Sequence, residues 1–507
     1  MEFFLVVLLI ATLILWLKLN ISGASRSGVL ALWGMIFLMA MLQFNRVEFV
    51  KDGKLNYIHT HDYFHYLISS KYFEELGYDR LYVCSTAAFS EINKGQSEIS
   101  APNITLVRNL ANPTIRIFPV DEDSQSACRQ YFPGDRWQEF VGDLAVFLKY
   151  DNSQEKWQTI FSDMGNNATP AWYMLTRYIS NNIPLNEVSL HFIAAIDLAI
   201  FFILIPLVIF FSFGPLATAG YFIVIFGNAL AHTSWVHGSF GRALSLFSLA
   251  LAYCLFHKGK NSLAALFFVL ASSLRIFPII FVFSLILFVF LDKEKRKISY
   301  TLMGYTCLWG VVFLFATYAT YGIDAWQAFI NMIGVRINMP GPFTIGLEKA
   351  FSFFFMSDSG IFKSDESLVV WLDKVSLIHG NYKTALMALG FVLGCGFVHG
   401  LRQLKQPMFS SVLLGFFMMF FFMTPLTYYY MFLALVLPVY RFGDGYRREL
   451  SPFMFLMMIL AIWSYPVLRD LGYVLSDHEM TAQASLIILI FFFIYIKALA
   501  KARSLVA

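Results

Sequence analysis

The stretch His59-Thr60-His61-Asp62-Tyr63-Phe64-His65-Tyr66 gathers three imidazoles, a carboxylate and two phenols into a single short segment. Two chemistries are open to such a set. Asp62 could act as a general base, which requires a carboxylate ionised near neutral pH and held at the mouth of a cavity. Alternatively, His59, His61 and His65 could ligate a metal, since His61 and His65 are one helical turn apart with a carboxylate between them. The zinc-protease helix carries Glu directly after its first histidine and takes a third ligand from elsewhere, so the match here is partial. His61, His65 and Tyr66 are therefore read first as substrate-binding groups, and no metal is expected, with a divalent ion as the alternative. A structural role for Asp62 is compatible with either chemistry: apolar residues at Phe64, Leu67, Ile68, Tyr72 and Leu76 recur at helical spacing, Gly77 follows as a C-terminal cap, and Asp62 stands where an N-cap accepts backbone N–H groups.

Further along come more groups of the same kind. Asp163-Met164-Gly165-Asn166-Asn167-Ala168-Thr169-Pro170 is rich in turn residues and leads into a helical run to Asn181. Its bland reading is a surface turn; its functional reading brings Asp163 and Asn167 to the cavity of Asp62. His232 and His237 lie in a polar segment joining two apolar runs, Arg242 begins the second of these, and Arg275 precedes a break at Phe277-Pro278. A cation at membrane depth is costly and needs a partner, which a lipid phosphate would supply, though snorkelling or an internal salt bridge would also serve. Trp326 to Asn338 reads as an interfacial amphipathic helix ending in Arg336-Ile337-Asn338, and Tyr428-Tyr429-Tyr430 as an aromatic belt at an outer helix end.

The elements that must position these groups are membrane helices. The chain of 507 residues is 58% hydrophobic, 18% aromatic and only 14% charged, which excludes an ordinary soluble domain. Its net charge of +4 is too small to suggest nucleic acid. Apolar runs at 3–18, 28–44, 189–212, 215–232, 239–256, 261–274, 276–291, 298–320, 383–400, 409–424, 426–440, 452–468 and 482–499 predict an all-α polytopic fold of about 11–13 spans. The first run has no basic leader or small-residue cleavage site and is read as a retained span. With the 19–27 turn in the cytoplasm, the lysines and arginines at 258–260, 293–297, 402–405, 441–448 and 497–503 share that side, provided that breaks at Pro278 and Pro425 are kept. Two extracytoplasmic regions, 45–188 and 321–382, then separate the helices of 1–44, 189–320 and 383–507. Both regions carry enough tryptophan and phenylalanine to fold against the membrane. Cys84 and Cys128 lie in the first and could pair in an oxidising compartment.

This arrangement resembles the GT-C superfamily of polytopic glycosyltransferases, with the similarity resting on Asp62 near the start of a large outer loop, the Asp163–Trp172 turn, Arg275 before Pro278 and the Trp326–Asn338 helix. The acid follows the second span, not the first, and the paired Asp-Glu of the protein mannosyltransferases is absent. What the resemblance implies is an enzyme of a bacterial inner membrane, active on the extracytoplasmic face. It would move a sugar from a polyprenyl-phosphate donor to a glycan, lipid or protein acceptor with inversion. Asp62 would be the base and Arg275, with Arg242 and His232 or His237, would stabilise the leaving phosphate. The rival readings are a lipid-linked glycan flippase and an O-antigen polymerase or ligase. Asp197 and Asn228 are the polar exceptions in otherwise apolar spans, too few for a transport path built at the midplane.

Overall fold

The computed structural model describes residues 2–44, 50–51, 54–55, 57–95, 99–110, 117–163, 165–228, 238–337, 343–356, 365–423, 425–441 and 477–504. These are almost wholly helical, apart from two short antiparallel ribbons that pair Val50–Lys51 with Lys54–Leu55 and Leu106–Arg108 with Ile117–Pro119. Six helices are long and apolar enough to cross a membrane: Phe3–Ser22, Arg26–Phe44, Glu187–Phe213, Lys293–Gly334, Asn381–Arg402 and Glu479–Leu499. Shorter apolar helices occupy Pro215–Gly227, Arg242–His257, Asn261–Leu274, Pro278–Leu291, Pro407–Phe422 and Thr427–Val439. The expected run at 452–468 lies outside the described residues.

Both expected breaks are present, each with a local cause. Arg275 is extended (φ −144°, ψ 134°) between Asn261–Leu274 and a helix whose first residue is Pro278, a position where the missing N–H costs nothing. Met423 is likewise extended after Phe422, and the chain resumes as a tight helical turn over Thr427–Leu435. The segments read as cytoplasmic meet at one end of the bundle. There Trp16 donates to the Leu216 carbonyl, Gln406 exchanges hydrogen bonds with the Arg441 backbone, and the Arg441 guanidinium lies against the His257 ring.

The region after the second helix folds around its own hydrophobic core, which includes Phe64, Trp157, Phe161 and Trp172. Phe240, Leu274, Phe329 and Met332 from the membrane helices join that core, so the region is packed on the bundle. Three of its helices start on side-chain caps at Asp121, Ser153 and Thr169, and Asn186 caps the membrane helix that follows. Cys84 and Cys128 are disulfide-bonded. One buried charge network ties two of the helices together: Lys71 reaches Asp143 and Glu139 at 2.7 Å each, Tyr72 donates to Asp143 at 2.6 Å, and Arg136 pairs with Glu139 and Glu75 at 2.8 Å each.

One element departs from the sequence reading. The helix of Asp62 is not an amphipathic surface helix; every residue from Asp62 to Phe73 is buried, because the loop core closes over both of its faces. The helical stretch Arg296–Ile337 is two helices meeting at a kink, where Gly322 takes φ 72° and ψ −176°, a conformation that suits glycine. The second of them carries Trp326, and its Phe329 packs on Tyr78.

Candidate functional site

Asp62 ends a short helical turn, Thr60–Asp62, which runs straight into a wide turn over Tyr63–Ile68 with an extra residue per turn. Such insertions concentrate at functional sites, and this one re-aims the side chains on either side of it. The N-cap is His59, not Asp62: its Nδ1 accepts from the Asp62 amide at 3.2 Å. A nitrogen that accepts carries no proton, so the 3.6 Å approach of His59 to the Asp62 carboxylate is not an ion pair. Burial pushes the His59 imidazole down to about 4, in line with that assignment.

The carboxylate of Asp62 is instead paired with Arg242, and both side chains are almost fully buried. Arg242 is delivered by the chain entering its helix through Gly241 at φ 72°, where a Cβ would overlap the Trp172 ring. Burial would raise the Asp62 carboxyl, but the Arg242 guanidinium, with a smaller contribution from Arg275, outweighs it and brings it down to about 2. The group is therefore ionised throughout the neutral range. Asp197, in the Glu187–Phe213 helix, accepts the Ala243 amide at 3.1 Å and so anchors the start of the Arg242 helix. Asn228 donates to the Tyr430 carbonyl at 2.9 Å.

Beside this pair lies Arg275. Its guanidinium stacks on Tyr66 at 3.9 Å and lies 5.3 Å from Trp172. It is 3% exposed, and its Nε and Nη2 have no hydrogen-bond partner among the described residues. A buried guanidinium with unmet donors is costly, and aromatic faces meet only part of that cost. Tyr428 lies under Arg242 at 4.2 Å, and Tyr429 packs on Phe277 beside Arg275. These tyrosines are buried, so they line the cluster and do not form a lipid-facing belt.

On the other flank lies the Asp163 turn. Tyr66 donates to Asn167 Oδ1 at 2.9 Å, and His61 Nε2 lies 3.3 Å from Asp163 Oδ2. Gly165 passes so close to His65 that a Cβ would overlap the imidazole, and Asn166, at φ 55°, is held by the carbonyls of Gly77 and Tyr78 and by Tyr173. The structure thus brings together Asp62, His61, His65, Tyr66, Asp163, Asn167, Arg242 and Arg275. His232, His237 and Asn338 lie outside the described residues, as does the side chain of Arg336. Sequence reasoning missed Tyr82, which joins His65 to the Asp163 turn, because a tyrosine on an ordinary helix carries no signal of a partner far away in the chain. No protein-family model matches the chain, and no curated protein or solved structure matches it.

Proposed function

We propose that the chain is a membrane glycosyltransferase that moves a sugar from a polyprenyl phosphate to an acceptor hydroxyl on the extracytoplasmic face. The observation that carries this reading is the charge state of the buried cluster. Asp62 pairs with Arg242, and the Arg275 guanidinium beside them keeps unmet donors among the described residues. An anion is the missing partner, and a phosphate accepts from a guanidinium fork in two directions at once. The cluster sits at the end of the bundle opposite the basic turns, which suits a lipid-borne phosphate. The disulfide of the same region supports an oxidising, extracytoplasmic side. A transport path is the less favoured reading, since Asp197 and Asn228 are engaged in holding the Arg242 helix and the Tyr430 turn.

In the proposed reaction the acceptor oxygen attacks the anomeric carbon from the face opposite the phosphate. The bond from that carbon to the phosphate oxygen breaks, inverting the configuration, and polyprenyl phosphate leaves with the electron pair. Arg275 and Arg242 hold the charge that grows on its oxygens. The acceptor proton passes to Asp62, which is already in the ionised form that can take it. A carboxylate pinned by a guanidinium is a weak base. A phosphate drawing Arg242 toward itself weakens that pin, so donor binding and base strength are coupled.

The test is mass spectrometry of lipid-linked sugars and surface glycans in cells with and without the gene. Accumulation of one polyprenyl-phosphate sugar, with loss of a matching glycan, is expected. Unchanged lipid-linked sugars and glycans would overturn the reading.

A further inference from the structure

We infer that His61, His65 and Asp163 form a divalent transition-metal site, with Zn²⁺ the best fit, open on its solvent side. One ligand atom from each of the three lies within 4.8 Å of the others. The Nδ1 atoms of His61 and His65 are 3.3 Å apart. Two nitrogens each about 2.05 Å from a tetrahedral zinc ion are separated by about 3.3 Å, so the two rings stand at that spacing, while the Asp163 carboxylate, 3.3 Å from His61 Nε2, has to close toward the Nδ1 side to complete the set.

Tyr82 orients His65: its hydroxyl lies 2.7 Å from His65 Nε2 and 3.0 Å from the Asp163 carbonyl, and it accepts from the Gly165 amide at 3.1 Å. With its one proton on the Asp163 carbonyl the hydroxyl accepts from His65 Nε2, and in that tautomer the Nδ1 lone pair faces His61. A hydrogen bond from the far nitrogen is the arrangement that orients metal-bound histidines. The same tyrosine holds the Asp163 backbone, so one residue sets two of the three ligands. His65 is buried, whereas the side chains of His61 and Asp163 are about a third exposed, at 32% and 39%. The ion would enter from that side and keep at least one position for water or a sugar hydroxyl. It would also tie the Asp163 turn to the Asp62 helix.

The alternative account of the short His61–His65 distance is one hydrogen bond between neutral rings. Purified full-length protein, stripped with a chelator, would be titrated with Zn²⁺ and then with Co²⁺, whose visible absorption reports its ligands. One ion per chain is expected. His61→Ala and Asp163→Asn, at the two more exposed ligands, should each weaken binding at least ~10-fold, with circular dichroism, elution volume and the disulfide unchanged. Zinc bound equally by wild type and both variants, or not bound at all, overturns the site. The readout needs no sugar substrate, so it fails or succeeds independently of the transferase reading.

Discussion

Two buried charge clusters sit in the same extracytoplasmic region and are built differently. In the first, Lys71 and Arg136 are surrounded by Asp143, Glu139 and Glu75, with Tyr72 adding a further donor, and each cation reaches at least two oxygens. In the second, Asp62 pairs with Arg242, whose guanidinium lies over Tyr428, while Arg275 stacks on Tyr66 and its Nε and Nη2 have no acceptor among the described residues. The first is closed: acids outnumber bases, and burial pushes the Asp143 carboxyl up despite its bonds to Lys71 and Tyr72. The second is open: among the described residues the Arg275 guanidinium keeps donors without an acceptor. A closed network fixes a fold, whereas an open one is completed by something that binds.

The largest effect expected from breaking this contrast is in the open cluster. Asp62→Asn should reduce sugar transfer by roughly 10²–10⁴-fold, the span usual for a lost general base. The pairing with Arg242 adds a consequence, because the variant removes the buried carboxylate paired with that guanidinium and so unfolds at lower temperature than wild type. Adding Arg242→Gln should restore the unfolding temperature and leave transfer abolished. Near-wild-type turnover by Asp62→Asn would remove Asp62 as the base.

In the closed cluster Lys71→Met leaves the buried Asp143 carboxylate with Tyr72 and no cation, and should cost about 3–5 kcal/mol of stability, read by chemical denaturation. Activity per folded molecule should be unchanged. The disulfide braces the helix of Tyr82, two residues from Cys84, and Cys84→Ser should cost about 2–5 kcal/mol, seen as a lower unfolding temperature that added reductant does not lower further. The smallest effect concerns acid. The Glu139 carboxyl is held below its ordinary 4.5 by Lys71 and Arg136, against its partial burial. A depressed carboxyl stabilises the fold above its unfolded value, and that contribution fades as pH falls through the lower folded one. Glu139→Gln should thus narrow the stability gap between pH 7 and pH 3 slightly, because the side chain is 43% exposed and screened.

How much of this was legible in the sequence depends on the kind of signal. Hydropathy placed helices well, and Thr169-Pro170 and Gly77 announced helix ends that are present. The convergence of Asp62 with Asp163, Asn167, Arg242 and Arg275 was expected from their common side of the membrane. Their pairing was not, since nothing local tells Asp62 that Arg242, 180 residues away, will be its partner. The wide turn at Tyr63–Ile68 also left no trace, because its side chains are apolar or aromatic on every face. That uniformity hid the burial of the whole helix and transferred the capping role to His59. The tyrosines at 428–430 misled for a related reason: a belt and a buried cage use the same residue type, and only tertiary packing separates them.

The central claim is that the open cluster awaits a phosphate on a lipid, and Arg275 tests it most directly. Unfolding of the purified protein would be followed with polyprenyl phosphate and with the uncharged polyprenol, for wild type and Arg275→Gln. Without ligand the variant should be as stable as wild type or more so, because a buried cation with unmet donors has been removed. Polyprenyl phosphate should stabilise wild type, polyprenol should not, and the variant should lose the effect. Equal stabilisation of both proteins by polyprenyl phosphate, or none of either, would contradict the account.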